Sequence, residues 1–366
     1  MKIPLIDLKR EYQEIKPAIN LVVGRVLKGG RFILGSEVKA FELQLARFCD
    51  CKYCVGVNSG TDGLILSLKA LGIGPGDEVI TVANTFSATV ASIVHVGARP
   101  VLVDINPETY LIDLQKIEPA ITKKTRAIIV VHLYGQPVEM GPVLKLARQY
   151  SLKVIIDAAQ AIGSTYQGQP AGSFGDVSVF SFYPAKNLGA YGDAGAVVTN
   201  NRAVARVVRM LRHQGQSRKY HHELVGFNSR LDELQAAILR VKLKKLKTWN
   251  KQRRQWAKYY LQQLTGLSLV LPVQPAETQT NWYLFVVRVK KRDQLKRYLA
   301  KQGIECGIHY PVPIHLLPAF KNLGYEPGDF PQTEQITEQI LSLPMFPQLT
   351  KKEIDYICQA IKRFDP

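Results

Sequence analysis

The 366-residue sequence predicts an α/β fold: a large domain built on a mostly parallel seven-stranded sheet between helices, then a small α+β domain. Three observations predict it. Seven short apolar runs rich in β-branched residues occur at 54–58, 78–82, 99–103, 126–132, 153–157, 177–182 and 195–199. Helical patterns alternate with them, and strand–helix alternation means parallel pairing through right-handed crossovers, with helices on both faces. Beyond Glu277 the pattern changes to fewer strands and terminal helices.

Each element has a local reason. The runs AIIVV and VIID are continuously apolar, as expected of strands buried on both faces. Ser36 is placed to cap a helix whose Val38, Phe41, Leu45 and Phe48 share a face. The stretches 61–71 and 138–150 behave similarly, and Leu231, Leu234, Ile238 and Val241 give a long helix over 231–264 its apolar face. After LVLPVQPAE a strand (282–289), a helix (293–302), a strand (304–310) and two terminal helices are expected. The division falls near Trp249, giving domains 1–249 and 250–366.

Composition narrows the function classes. Hydrophobic residues make up 46% and charged residues 21%, which fits a soluble globular chain and not a disordered one. The start, MKIPLIDLKREYQEIK, lacks the apolar core of a signal peptide. The stretch 88–103 is broken by His95, Gly97, Arg99 and Pro100, so it cannot span a bilayer. A cytoplasmic protein without a membrane partner is expected. Cys51 and Cys54 form a C-x-x-C pair, yet no second pair completes a tetrahedral site, so buried thiols are expected and no metal.

The net charge of +18 invites polyanions. Between Glu233 and Glu277 there is no acidic residue, and Arg240, Lys244, Lys247, Lys251, Arg254 and Lys258 recur on one helical face. Such runs are usually solvated faces. A regulatory protein binding nucleic acid through this face is the competing reading, but no zinc-finger spacing or aromatic-basic RNA signature supports it.

Three strand ends carry chemistry. In SFYPAKN, Lys186 follows a buried apolar strand, and ligands of open α/β sheets sit at such carboxyl ends. A lysine desolvated there has a lowered pKa and forms Schiff bases. In VIIDAAQ, Asp157 ends a strand; it either caps the next helix or pairs with a protonated pyridine nitrogen, with Gln160 in reach of the ring's phenolic oxygen. In NSGTDGL, Gly60 and Thr61 open a helix whose free N–H groups favour phosphate, or simply a capped helix start. Together the three sites fit a phosphorylated pyridine aldehyde. No G-x-x-x-x-G-K-[ST], H-E-x-x-H, G-x-S-x-G or G-x-G-x-x-G pattern offers a rival.

The stretches IDLKREYQEI, RFILGSEVKAFE, NSGTDGL, GPGDEVITVANTFSATV, HLYGQP, DAAQAIGS, SFYPAKNLGAYGDAGAVVT, GFNSRLDELQAA and HYPVPIHLLPAF follow the order and spacing of one family. The chain resembles the DegT/DnrJ/StrS sugar aminotransferases, within the fold-type-I pyridoxal-phosphate enzymes. The resemblance implies pyridoxal 5'-phosphate as cofactor, passing through pyridoxamine 5'-phosphate during turnover. It implies that Lys186 is the Schiff-base lysine and proton shuttle, Asp157 the partner of the ring nitrogen and Gln160 that of the ring oxygen. Gly60, Thr61 and Ser181 would bind the phosphate, and Phe86 would stack on the ring. Asn228 would reach the phosphate of a neighbouring subunit, which implies a homodimer with shared active sites. Tyr183, Arg218, Lys219, Tyr220, His309 and Tyr310 would lie near the substrate.

The resemblance also narrows that substrate. Members acting at C4 of the sugar usually carry His two residues after the Ser, where this chain has Tyr183. The version here resembles enzymes that aminate 3-keto sugars on dTDP- or UDP-linked hexoses, with L-glutamate as amino donor; a 4-keto sugar is the alternative. Lys186 argues against the branch of dehydratases that replaces this lysine with His.

Overall fold

The computed structural model describes residues 1–364. Asp7 caps helix α1 (Leu8–Gly29) by accepting from the backbone N–H groups of Lys9 and Arg10. Helix α2 (Ser36–Phe48) follows, and then the α/β succession begins: β1 (Tyr53–Val57), α3 (Gly60–Ala70), β2 (Glu78–Val82), α4 (Ser87–His95), β3 (Arg99–Val103), β4 (Thr125–Val131), α5 (Met140–Gln149), β5 (Lys153–Asp157), β6 (Val177–Ser181), β7 (Gly195–Thr199) and α6 (Arg202–Leu211). The long α7 (Glu233–Leu264) leads into β8 (Phe285–Arg288), α8 (Arg292–Lys301), α9 (Pro331–Gln339), β9 (Ile340–Leu343) and α10 (Lys351–Phe364).

The seven expected strands form one sheet in the order β1-β7-β6-β5-β4-β2-β3. Pairing is parallel from β6 through β3, and β7 alone runs antiparallel to both of its neighbours. The reason is the link between β6 and β7, a loop with no crossover helix, so the chain returns in the opposite sense. The carboxyl ends of β1, β5 and β6 therefore share an edge.

Burial on both faces follows the sequence pattern. Ile128 and Val130 point into a core shared with Phe41 and Leu45 of α2, while Ala127 and Ile129 point into one shared with Leu64 and Leu68 of α3. A further core joins Ile3, Ala257, Tyr260, Phe285, Leu341 and Ile357. Helix α7 runs unbroken between the two regions. Its Trp249 packs on Ile15 and Ile19, and its Ala257, Tyr260 and Leu264 belong to the further core.

Two expectations need correction. Ser36 is the first helical residue of α2 and caps nothing; Gly35 holds the N-cap position. The Glu233 carboxylate does the work from across the chain, accepting from the backbone N–H groups of Gly35 (2.8 Å), Glu37 (2.6 Å) and Val38 (3.1 Å). A carboxylate at a helix N-terminus satisfies orphan donors and complements the dipole together. Residues 304–310 form isolated bridges, Ile304 with Ile3 and Gly307 with Ser342, and no strand. The partner of β8 is β9, a strand between the two terminal helices that the sequence pattern does not predict. Pro344 closes that apolar ILSL run after four residues, too few for periodicity to separate strand from helix.

Candidate active site

Lys186 sits in the loop between β6 and β7. The loop turns back so tightly that a Cβ on Gly189 would lie 2.1 Å from the Pro184 carbonyl oxygen. Buried Asn187 pins it, donating to Asn250 Oδ1 (2.9 Å) and to the Asn281 carbonyl (3.1 Å). The Lys186 ammonium lies 4.4 Å from the centre of the Tyr283 ring. Its charge is felt by both Asp157 and His309.

Asp157 ends β5, buried, and no helix follows it, so the helix-cap reading falls. Its Oδ1 accepts from the Ala159 N–H (3.1 Å) and its Oδ2 from the Thr89 hydroxyl (2.7 Å), which lies 2.9 Å from the Thr85 hydroxyl. Burial pushes the carboxyl up from its ordinary value, while those hydrogen bonds and Lys186 oppose it. Three residues on, Gln160 accepts from the Tyr134 N–H (2.7 Å) and donates to the Tyr310 hydroxyl (3.1 Å). Tyr310 packs on Phe86 with ring centres 5.4 Å apart, and burial raises its hydroxyl pKa. Phe86, just ahead of α4, is 52% exposed and presents a ring face at this edge. His309 Nδ1 lies 2.8 Å from Ser342 Oγ. Burial, then the charges of Lys186 and Lys296, push its pKa down to about 4, so it is neutral at pH 7.

At the neighbouring strand ends, Ser59 caps α3 by accepting from the Asp62 N–H (3.1 Å). The tip of the helix presses on β6 and β7: a Cβ on Gly60 would lie 2.8 Å from Ser181 Cβ, and one on Gly195 would lie 2.4 Å from the Ser59 carbonyl carbon. Gly60, Thr61 and Ser181 thus form a cradle of N–H and hydroxyl groups at the positive end of a helix. A phosphorylated pyridine aldehyde fits this donor set. The cradle suits its phosphate, the buried carboxylate a ring cation, and the amine its aldehyde.

Comparison with known proteins agrees. The model of the DegT/DnrJ/EryC1/StrS aminotransferase family matches residues 13–362. The chain belongs to that family. It is 43% identical to the dTDP-3-amino-3,4,6-trideoxy-alpha-D-glucose transaminase of Streptomyces venezuelae, over 99% of this chain and 96% of the relative. It is 43% identical to the UDP-N-acetyl-3-dehydro-alpha-D-glucosamine 3-aminotransferase of Acidithiobacillus ferrooxidans, over 99% and 97%. A Geobacillus stearothermophilus relative, 44% identical over 100% and 99%, is named a pleiotropic regulatory protein. The crystal structure of S. venezuelae DesV in complex with a ketimine intermediate matches at a TM-score of 0.98 and 43% identity, over 100% of this chain and 98% of that one. That of Bacillus subtilis NtdA with bound cofactor PMP matches at 0.92 and 35%, over 99% and 85%.

Within this aminotransferase Lys186, Asp157, Gln160, Phe86, His309 and Tyr310 come together at this edge, Gly60 and Thr61 start the helix that presses on Ser181, and Tyr183 stands exposed three residues before Lys186. Arg218, Lys219 and Tyr220 lie elsewhere, exposed on a hairpin formed by Gln216–Arg218 and His221–His222. Asn228 is exposed too, bridging to His213. Among the described residues no hydrogen bond or ion pair joins these four to Lys186, Asp157 or Gln160. Sequence reasoning missed Thr89, Tyr134, Tyr283 and Asn281. The spacing of Thr85 and Thr89, four apart at a helix start, was a usable signal for a hydroxyl pair. Tyr283 and Asn281 arrive from far along the chain and left none. The thiols of Cys49 and Cys54 are buried, and burial raises the pKa of both, which makes them inert.

Proposed function

We propose that this aminotransferase transfers the amino group of L-glutamate to the C3 ketone of a dTDP- or UDP-linked hexose, using pyridoxal 5'-phosphate bound at Lys186. The observation that carries the reading is the shared strand edge, where an amine, a buried carboxylate and a helix-tip cradle converge with Tyr183 at the opening. The C3 assignment draws further support from the two transaminase relatives, whose names both place the amino group at C3.

When bound, the cofactor supplies a cationic ring that accepts electrons from the carbon being deprotonated. Each surrounding residue then has a task. Gly60, Thr61 and Ser181 would hold the phosphate, Asp157 would keep the ring nitrogen protonated, Gln160 would hold the ring oxygen and Phe86 would cover a ring face. Lys186 Nζ would carry the proton between the substrate carbon and the bound cofactor, in opposite directions in the two half-reactions. His309, neutral at pH 7, and the Tyr310 hydroxyl offer hydrogen bonds to the sugar. Glutamate leaves as 2-oxoglutarate in the first half, and the sugar departs aminated in the second.

A homodimer belongs to the same reading. Leu21, Leu43 and Val225 are exposed at 72%, 62% and 95%, apolar side chains that a second copy would cover. Asn228, Arg218, Lys219 and Tyr220, remote from the site of their own chain, then reach that of the second copy. The regulatory reading of α7 is not favoured. The chain belongs to an aminotransferase family over nearly its whole length, and of the basic face Arg240 is already paired with Glu37. Among the described residues no helix is long and apolar enough to cross a membrane. Cytoplasmic placement suits a chain whose five cysteines are all free.

The test is turnover of dTDP- and UDP-linked 3-keto and 4-keto hexoses with glutamate, read as 2-oxoglutarate released. The 3-keto sugars are expected to react and Tyr183→His to lose this preference. Turnover confined to 4-keto sugars would overturn the assignment to C3.

A further inference from the structure

Helix α7 carries one cation whose surroundings differ from those of its neighbours. Arg240 pairs with Glu37, Lys242 with Glu11 at 2.5 Å and Lys245 with Glu14 at 3.6 Å. Arg253, buried, donates to the Met345 carbonyl (2.8 Å). Arg254 has no such compensation. It is half-buried, burial lowers its pKa, and no carboxylate offsets that cost. Among the described residues it enters no ion pair or hydrogen bond.

Arg254 lines an open cavity of about 330 Å³ together with Lys247, Asn250, Thr165, Gln279 and Phe48. Lys247 lies seven residues earlier on the same helical face, and no acidic side chain lines the cavity. The cavity lies apart from the cradle at α3. Asn250 separates it from the Lys186 loop, accepting from Asn187 and donating to the Ile162 carbonyl (3.0 Å). A cation drawn partly out of water without a counter-charge loses hydration for no return, and an anion placed beside it restores the balance. Two cations flanking one opening, one of them a guanidinium fork, match a dianion with several acceptor oxygens.

We propose that this cavity is a second ligand site, which binds a phosphate-bearing small molecule through Arg254 and Lys247, with Asn250, Thr165 and Gln279 as further polar contacts. The site is independent of the transaminase chemistry.

The test titrates inorganic phosphate into protein saturated with pyridoxal 5'-phosphate, by calorimetry, with sodium chloride at equal ionic strength as the control. Prior saturation fills the cofactor cradle, so a phosphate signal from that cradle does not enter. Saturable binding of one phosphate per chain is expected, weakened at least about tenfold in Arg254→Gln and in Lys247→Gln. Lys258→Gln, an exposed change on the same helix, should bind as the parent does. Absence of saturable binding, or binding unchanged in Arg254→Gln, would overturn the proposal. A protein that takes up no cofactor but still loses phosphate binding in Arg254→Gln would leave this site standing and sink the cofactor reading instead.

Discussion

Asp157 carries an electrostatic cost at the strand edge, because burial disfavours its charged form. The Thr89 hydroxyl and the Ala159 N–H hold it in place and favour the carboxylate. A hydrogen bond to a charged group contributes about 1.5–3 kcal/mol. Thr89→Val is therefore expected to weaken cofactor binding by roughly tenfold or more and to raise the pH at which Asp157 ionises, whereas Thr89→Ser should retain both properties. Equilibrium dialysis and a pH titration of the cofactor's absorbance read the two effects, and parental values in Thr89→Val would contradict the role. Asp157→Asn removes the partner of the ring nitrogen; kcat should fall by at least about a hundredfold, the scale of one lost electrostatic stabiliser.

Helix α2 owes its start to a residue almost two hundred positions away in sequence. Glu233→Ala leaves three backbone N–H groups without their acceptor. Urea unfolding should show a loss of about 3 kcal/mol, with a smaller loss in Glu233→Gln, which keeps one acceptor oxygen. This cap illustrates where sequence reading stops. Strands β1 to β7 were legible because AIIVV, VIID and their like are buried on both faces, and the strand-end residues Lys186, Asp157 and Gly60 were legible with them. Contacts made by α7 and by residues 281–283 were not, since nothing local in Glu233, Asn281 or Tyr283 distinguishes a long-range partner from a surface or core residue. The ILSL strand failed for a different reason, its shortness. The pairs Thr165–Tyr166, Gln169–Pro170 and Thr278–Gln279, which form a small sheet of their own, are too brief to show any period.

Across the whole molecule, two histidines, buried His132 and half-buried His309, make stability depend on acid. Burial pushes both His132 and His309 down to about 4. Unfolded, each takes a proton near its ordinary 6.5, so stability is fully present above that value and falls as pH drops through the window from 6.5 to 4. Asp157, raised by burial, works in the opposite sense above its ordinary value and offsets part of the loss. Urea midpoints measured across this window should decline by an amount equivalent to a few kcal/mol, and a flat profile would contradict the burial of these rings. At the level of assembly, sedimentation should give a dimer that Val225→Glu weakens, together with a loss of turnover, since Arg218, Lys219, Tyr220 and Asn228 are proposed to serve the second copy. Mass spectrometry after borohydride reduction reads whether Lys186 holds the cofactor. Protein incubated with pyridoxal 5'-phosphate should show a visible absorbance band that borohydride abolishes, with the added mass on the peptide that contains Lys186. No band after cofactor addition, or an unchanged band in Lys186→Ala, would contradict it.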